Sequence, residues 1–209
     1  MWQVLRSELA GQNFEVITVG CDAKGAEVER EFIEAANPDY PCLIDTTFLV
    51  AELYNTRNVP ALFWIDERGW IVRGNDPAYM TRRDPDTGTR TPNERYMDVV
   101  RDWVKNGSKS IYVTTPDETQ SRIGSSDESN QQAMAHFRLG VYLEAHKHHT
   151  EAVPQFKAAL ALKPENWNYR RQAYNLGNAD EYGMTMQEAM QTVGPMYAVG
   201  LQLPDPPAS

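Results

Sequence analysis

The sequence predicts a chain of two parts, an α/β region with a mainly parallel sheet and an antiparallel edge hairpin, then an all-α helical module. Segments with helical and β-rich patterns alternate from Trp2 to Lys105, the order that lays helices over both faces of a parallel sheet. From 114 to 130 the composition turns to Thr, Ser, Asp, Glu and Gln, which bury little. Beyond that only a helical period persists. The expected boundaries are 1–112 for the α/β domain, 113–130 for a linker, 131–200 for the helical module and 201–209 for a flexible tail with three prolines.

Trp2, Val4, Leu5 and Leu9 fall on one helical face, and Gly11-Gln12-Asn13 ends that helix. Phe14 to Gly20 is β-branched and nearly all apolar, as a strand buried on both faces should be. Ala26 to Ala36 reads as a helix with Val28, Phe32, Ile33 and Ala36 in one stripe. After the turn cluster Asn37 to Pro41, Cys42-Leu43-Ile44 is a short strand. Asp45 or Thr46 is placed to cap a helix running to Tyr54, with Phe48, Leu49, Ala51 and Leu53 on its face. Ala61 to Ile65 is the most strand-like run, and Glu67-Arg68-Gly69 turns it back into Trp70 to Arg73. A polar loop that contains prolines and Gly88 precedes a helix from Arg95 to Lys105, with Tyr96, Val99, Val100, Trp103 and Val104 facing the sheet. The later helices are expected near 131–146, 150–162, 166–177 and 185–199.

With 209 residues, 41% hydrophobic and 23% charged, the chain can build a real core. Its formal net charge is −9 and no basic run interrupts the acidity, which argues against nucleic acid and anionic membrane surfaces as partners. No apolar run approaches the roughly 18 residues of a membrane span. The amphipathic start, with Glu8, lacks the pattern of a secretory signal. A cytoplasmic protein is expected, and an extracytoplasmic one if the native N-terminus is longer.

Cys21 and Cys42 are the only cysteines, and they make neither a CxxC nor a metal-ligand spacing. At strand ends such thiols are usually small core residues. The two strands could be neighbours, so a thiol pair stays open, whereas Asp22 beside Cys21 disfavours a nucleophilic thiolate. His146 and His149 have a metal-compatible spacing but no completing carboxylate or cysteine, and with His136 and His148 they read as a solvated inter-helix turn. Asp84 to Gly88 lacks the spacing and closing Glu of a calcium loop. Trp64, Trp70 and Trp103 are expected in the core or at its rim. Neither a Ser-His-Asp set nor a phosphate loop is present, and no cofactor or metal is implied.

Val59-Pro60 entering a β-run, then Asp66-Glu67-Arg68-Gly69 and Ile71-Val72, resembles the second half of thioredoxin-like proteins of the TlpA/ResA, redoxin-like type. Tyr54 to Val59 and the segment Pro41 to Asp45 also look like that subgroup. The likeness spans roughly residues 1–105. It implies a cis bond at Pro60 and a groove where Asn58, Val59 and Pro60 pair with an extended peptide. Proteins of this type begin with a central strand and a Trp-Cys-x-x-Cys turn. Neither occurs in this stretch, so no catalytic role carries over to any residue.

Leu139-Gly140, Ala152, Phe156, Ala159 and Pro164 fall in the register of the roughly 34-residue tetratricopeptide (TPR) pattern, so the helical part resembles one such repeat. Gly140 and Ala152 let two helices approach, Phe156 fills the groove, and Pro164 ends the second helix. One repeat leaves an apolar face that needs a neighbour. The two likenesses together imply a non-catalytic module that binds a protein or peptide. The alternative is a thiol–disulfide oxidoreductase whose CxxC-bearing N-terminus is missing from this chain. The uncovered edge of the Phe14–Val19 strand also offers a route to a homo-oligomer.

Overall fold

The computed structural model describes residues 2–77, 81–83, 86–194 and 203–205. The fold is mixed α/β, with a helical C-terminal region. The first part runs α1 (Trp2–Glu8), β1 (Thr18–Gly20), α2 (Ala26–Ala36), β2 (Cys42–Ile44), α3 (Leu49–Leu53), β3 (Ala61–Ile65), β4 (Ile71–Pro77), β5 (Thr81–Arg83), β6 (Arg90–Pro92) and α4 (Glu94–Asn106). The second runs α5 (Pro116–Ile123), α6 (Glu128–Ala145), α7 (His149–Leu162), α8 (Trp167–Leu176) and α9 (Met186–Thr192). The last expected helix, 185–199, extends into 195–200, which lie outside the described residues, as do Asp84 and Pro85 of the acidic loop and most of the 201–209 tail.

The single, mainly parallel sheet expected from the alternation is not formed among the described residues. There are three two-stranded sheets: β1 with β2 in parallel, β3 with β4 antiparallel, and β5 with β6 antiparallel. The Phe14–Gly20 run is strand only at its last three residues. Upstream, the Glu15 carboxylate takes the Val16 N–H at 2.8 Å and the Phe14 N–H turns to Gln12, so local bonds replace a ladder. The stripe of α2 finds no cover either. None of its residues is buried, and Phe32 is 69% exposed. The β5–β6 hairpin occupies what the sequence presents as a polar loop.

The β3–β4 hairpin is organised by Asp66, which accepts from the backbone of Arg68 at 3.0 Å and of Trp70 at 2.9 Å. Gly69 supplies the positive φ of 80° that the turn needs. Trp64 from β3 is buried and stacks on Trp103 of α4 at 4.7 Å, whereas Trp70 is 66% exposed and belongs to neither core nor rim. Leu5, Leu9, Trp64, Tyr96, Met97, Val99 and Val100 form one core between α1, β3 and α4. Buried at its edge, Arg73 pairs with Asp76 and donates to the Tyr112 carbonyl at 2.9 Å, and Arg122 reaches the same Asp76 at 3.0 Å.

The segment 113–130 is no loose linker. Thr115 and Glu118 form a reciprocal capping box, Pro116 opens the helix, and Arg122 anchors α5 to the buried carboxylate of Asp76. Ile123 lies so close over Gly74 that a β-carbon there would meet it at 2.8 Å. Composition pointed to a linker, while Thr115-Pro116-Asp117-Glu118 carries a helix-start signal.

The second core joins both parts. Ala133, Phe137, Ala152, Phe156, Ala159, Tyr169, Ala173 and Tyr182 are its helical members, and Phe48 and Ala51 of the α3 region complete it. No helix among the described residues is long and apolar enough to cross a membrane.

Candidate functional site

The α3 segment and the loop after it lie against α8. Asp45, buried, accepts from the backbone N–H groups of Thr47, Leu49 and Val50 at 3.2, 3.0 and 2.7 Å. It thus supplies the capping that Phe48, at the N-cap position, cannot. Phe48 sits at a φ of 59°, a conformation costly for a bulky side chain, with its ring buried edge-on to Phe137 at 5.3 Å. Phe137 in turn stacks on Tyr169 of α8 at 4.4 Å.

Beyond α3, the Val59–Pro60 bond is cis, as the resemblance implies. The loop leading to it is held by α8. The Thr56 carbonyl accepts from Asn168 Nδ2 at 2.7 Å, the Arg57 carbonyl from the Asn168 N–H at 3.1 Å, and the Val59 carbonyl from Arg171 Nη1 at 2.7 Å. Asn166 caps α8 by accepting from the N–H groups of Asn168 and Tyr169. The three residues expected to bind a peptide edge are therefore differently placed. Asn58 is 4% exposed with both amide atoms unpartnered, Val59 has its carbonyl occupied, and Pro60 is exposed.

Between the α3 segment and the α6–α8 face lies a cleft of about 40 Å3, walled by Phe48, Ala51, Met134, Phe137 and Tyr169. Glu52, Arg138, Asn168, Arg57, Lys163 and Glu165 supply its polar lining. Two buried acceptors in it have no hydrogen-bond partner among the described residues, Glu52 Oε2 and Asn168 Oδ1. Arg138 approaches Glu52 only to 3.9 Å. Burial raises the Glu52 pKa, with Asp45 adding to the effect against the pull of Arg138. The Tyr169 hydroxyl, buried and near Glu52, is pushed up to about 12.

In the helix pair α6–α7, Gly140 admits the ring of Phe156, whose atoms lie 2.7–2.9 Å from where a β-carbon would stand. Ala152, Phe156 and Ala159 are buried, Leu139 is 44% exposed, and Pro164 follows the end of α7. Cys21 and Cys42 are free thiols. Cys42 registers opposite Thr18, so Cys21 lies three residues further along the ladder, about 10 Å away. Disulfide geometry needs Cα atoms within about 7 Å, so the possible pair is not formed. Burial pushes the Cys21 thiol up to about 11, helped by Asp45 and Glu29. The Cys42 sulfur instead accepts from the Thr18 hydroxyl at 3.1 Å. His149 is clamped between Glu144 at 2.5 Å and Glu181 at 2.8 Å, and His146 bonds the Tyr142 carbonyl. No group of three or more metal-binding side chains gathers among the described residues.

Sequence reasoning passes over Glu52 and Asn168, since a glutamate on a helix and an asparagine after a turn carry no motif. Comparison of the chain with family models, with curated proteins and with solved structures finds no match.

Proposed function

We propose that this chain is a thioredoxin-like and TPR-type protein whose work is to bind a protein or peptide segment, without thiol chemistry. The observation that carries the reading is the α3–α6–α8 cleft, where aromatic walls surround buried polar atoms that lack partners. Buried polar groups are nearly always hydrogen-bonded, so such atoms favour an external partner. The cis bond ahead of β3 and the Gly140–Phe156 contact support the two likenesses. Docking beside Pro60 would require Arg171 to release the Val59 carbonyl, whereas the cleft asks for no such rearrangement.

The test is anisotropy titration of fluorescent peptide pools against the full chain, beside an insulin-reduction assay. Saturable binding with no reductase activity is expected. Absence of binding by every pool, or turnover of insulin disulfides, would overturn the proposal.

A thiol–disulfide oxidoreductase completed by a further strand and a CxxC turn is the second reading, favoured by the uncovered stripe of α2. An in-frame Trp-Cys-x-x-Cys encoded ahead of Met1 would establish it. Association of two copies along β1, whose outer side has no strand among the described residues, belongs to the same proposal. Light scattering would report it as a doubled mass.

A further inference from the structure

Resting on that peptide-binding reading, we infer that the cleft takes a cationic side-chain head, the guanidinium or ammonium of a basic segment, seated on Glu52 and Asn168. Both unpartnered buried atoms are acceptors, Glu52 Oε2 and Asn168 Oδ1, and acceptors call for a donor. Asn168 is 2% exposed and spends its own Nδ2 on the Thr56 carbonyl. Its remaining oxygen has no donor among the described residues.

The donors of the cleft are mostly engaged elsewhere. Asn55 Nδ2 bonds the Ile123 carbonyl at 2.7 Å, and Lys163 is held by Asp127 at 3.2 Å. Arg138, at 3.9 Å from Glu52, is beyond hydrogen-bond range and its side chain is 46% exposed. Arg57 also lines the cleft but is not fully buried, so water can serve it. The carboxylate of Glu52 is therefore partly desolvated and close to the buried Asp45, and its counter-charge, Arg138, forms only a loose ion pair at 3.9 Å that leaves Oε2 without a hydrogen bond.

Three aromatic rings line the same space, Phe48, Phe137 and Tyr169, and a desolvated cation gains from such faces. The charged lining is mixed, with Arg57, Arg138 and Lys163 beside Glu52 and Glu165, so selection of a cation rests on direct contact with Glu52 and Asn168 and not on the field of the cleft. A charge-assisted bond to the buried Oε2 of a partly exposed carboxylate should discriminate roughly tenfold to a hundredfold.

Four pools of fluorescein-labelled octapeptides decide the matter, each with small neutral flanks around a central Arg, Lys, citrulline or Glu. Against the full chain, the Arg and Lys pools should bind at least roughly tenfold more tightly than the citrulline and Glu pools. Glu52→Gln should erase that difference. Arg138→Ala, which removes the competing cation, should tighten binding of the Arg pool, and both substitutions fall at partly exposed side chains.

If the citrulline or Glu pool binds as well as the Arg pool, or if Arg138→Ala weakens the Arg pool, the cationic anchor is refuted and peptide binding stands. If no pool binds, the cleft holds water only and both readings fall. Should Glu52→Gln fail to fold, the Arg-against-citrulline ratio and the sign of the Arg138→Ala effect still decide.

Discussion

Gly140→Ala tests the helix pair most directly. A β-carbon at Gly140 would lie 2.7, 2.8 and 2.9 Å from three atoms of the Phe156 ring, well inside van der Waals contact, so the ring or the helices must shift. The ring has little room to retreat. Phe156 is 1% exposed and is flanked by Phe137 at 5.9 Å and Tyr182 at 6.3 Å. Overpacking of this kind costs about 1–3 kcal/mol, and the enclosed ring places this case near the top of that range. Alanine returns about 1 kcal/mol of helix propensity, leaving a net loss of about 2 kcal/mol. For a chain of this size that corresponds to a fall in Tm of about 4–8 °C, measured by circular dichroism at 222 nm. Adding Phe156→Leu should make the double variant less destabilised than the two single losses summed, by a coupling of about 0.5–3 kcal/mol. A Gly140→Ala chain that melts at or above the native temperature would refute close packing of α6 on α7 through this glycine.

Three further outcomes follow from the same structure. Asp76→Asn removes the counter-charge of the buried Arg73 guanidinium and a ligand of Arg122. It should cost about 3–5 kcal/mol in urea unfolding, while Arg73→Met with Asp76→Leu should cost less than the single change; equal losses would contradict a desolvated pair. Phe48→Ala empties a buried site that joins the α3 segment to the helical core. A loss of about 3–5 kcal/mol is expected, with faster proteolysis in residues 45–57, and an unchanged digestion pattern would show the contact to be dispensable. His149 has its pKa raised by its hydrogen bonds to Glu181 and Glu144. Its contribution to stability is therefore complete below the ordinary imidazole value and is lost as pH rises through the higher folded value. The Tm gap between the native chain and His149→Gln should shrink from pH 6 to pH 9, and a pH-independent gap would remove the imidazolium from the clamp.

Local chemistry was legible in the sequence wherever a few neighbouring residues decide the outcome. The stripe from Ala26 to Ala36, the strands Cys42–Ile44 and Ala61–Ile65, and the turn at Gly69 all form where their patterns place them. Asp45, one of two residues expected to cap α3, does so through its carboxylate rather than from the N-cap position itself. Pattern alone fails where a distant partner decides. An amphipathic stripe says that a helix wants cover, and α2 has none among the described residues; a nearly all-apolar, β-branched run says that Phe14–Gly20 can be a strand, and only three of its residues find a neighbour to ladder with. The cleft has the same origin. Asn168 becomes a binding candidate because its amide is spent on Thr56, a residue 112 positions earlier, which leaves its oxygen without a donor. Glu52 becomes one because α6 brings Arg138 only into a loose ion pair, which leaves Oε2 without a hydrogen bond. Neither fact is written in a motif, since each arises when two segments close on each other and one polar group is left over. For this chain, the elements are therefore readable from periodicity, while the faces that pack and the residues that could bind emerge only once contacts and hydrogen bonds are counted across the joined core.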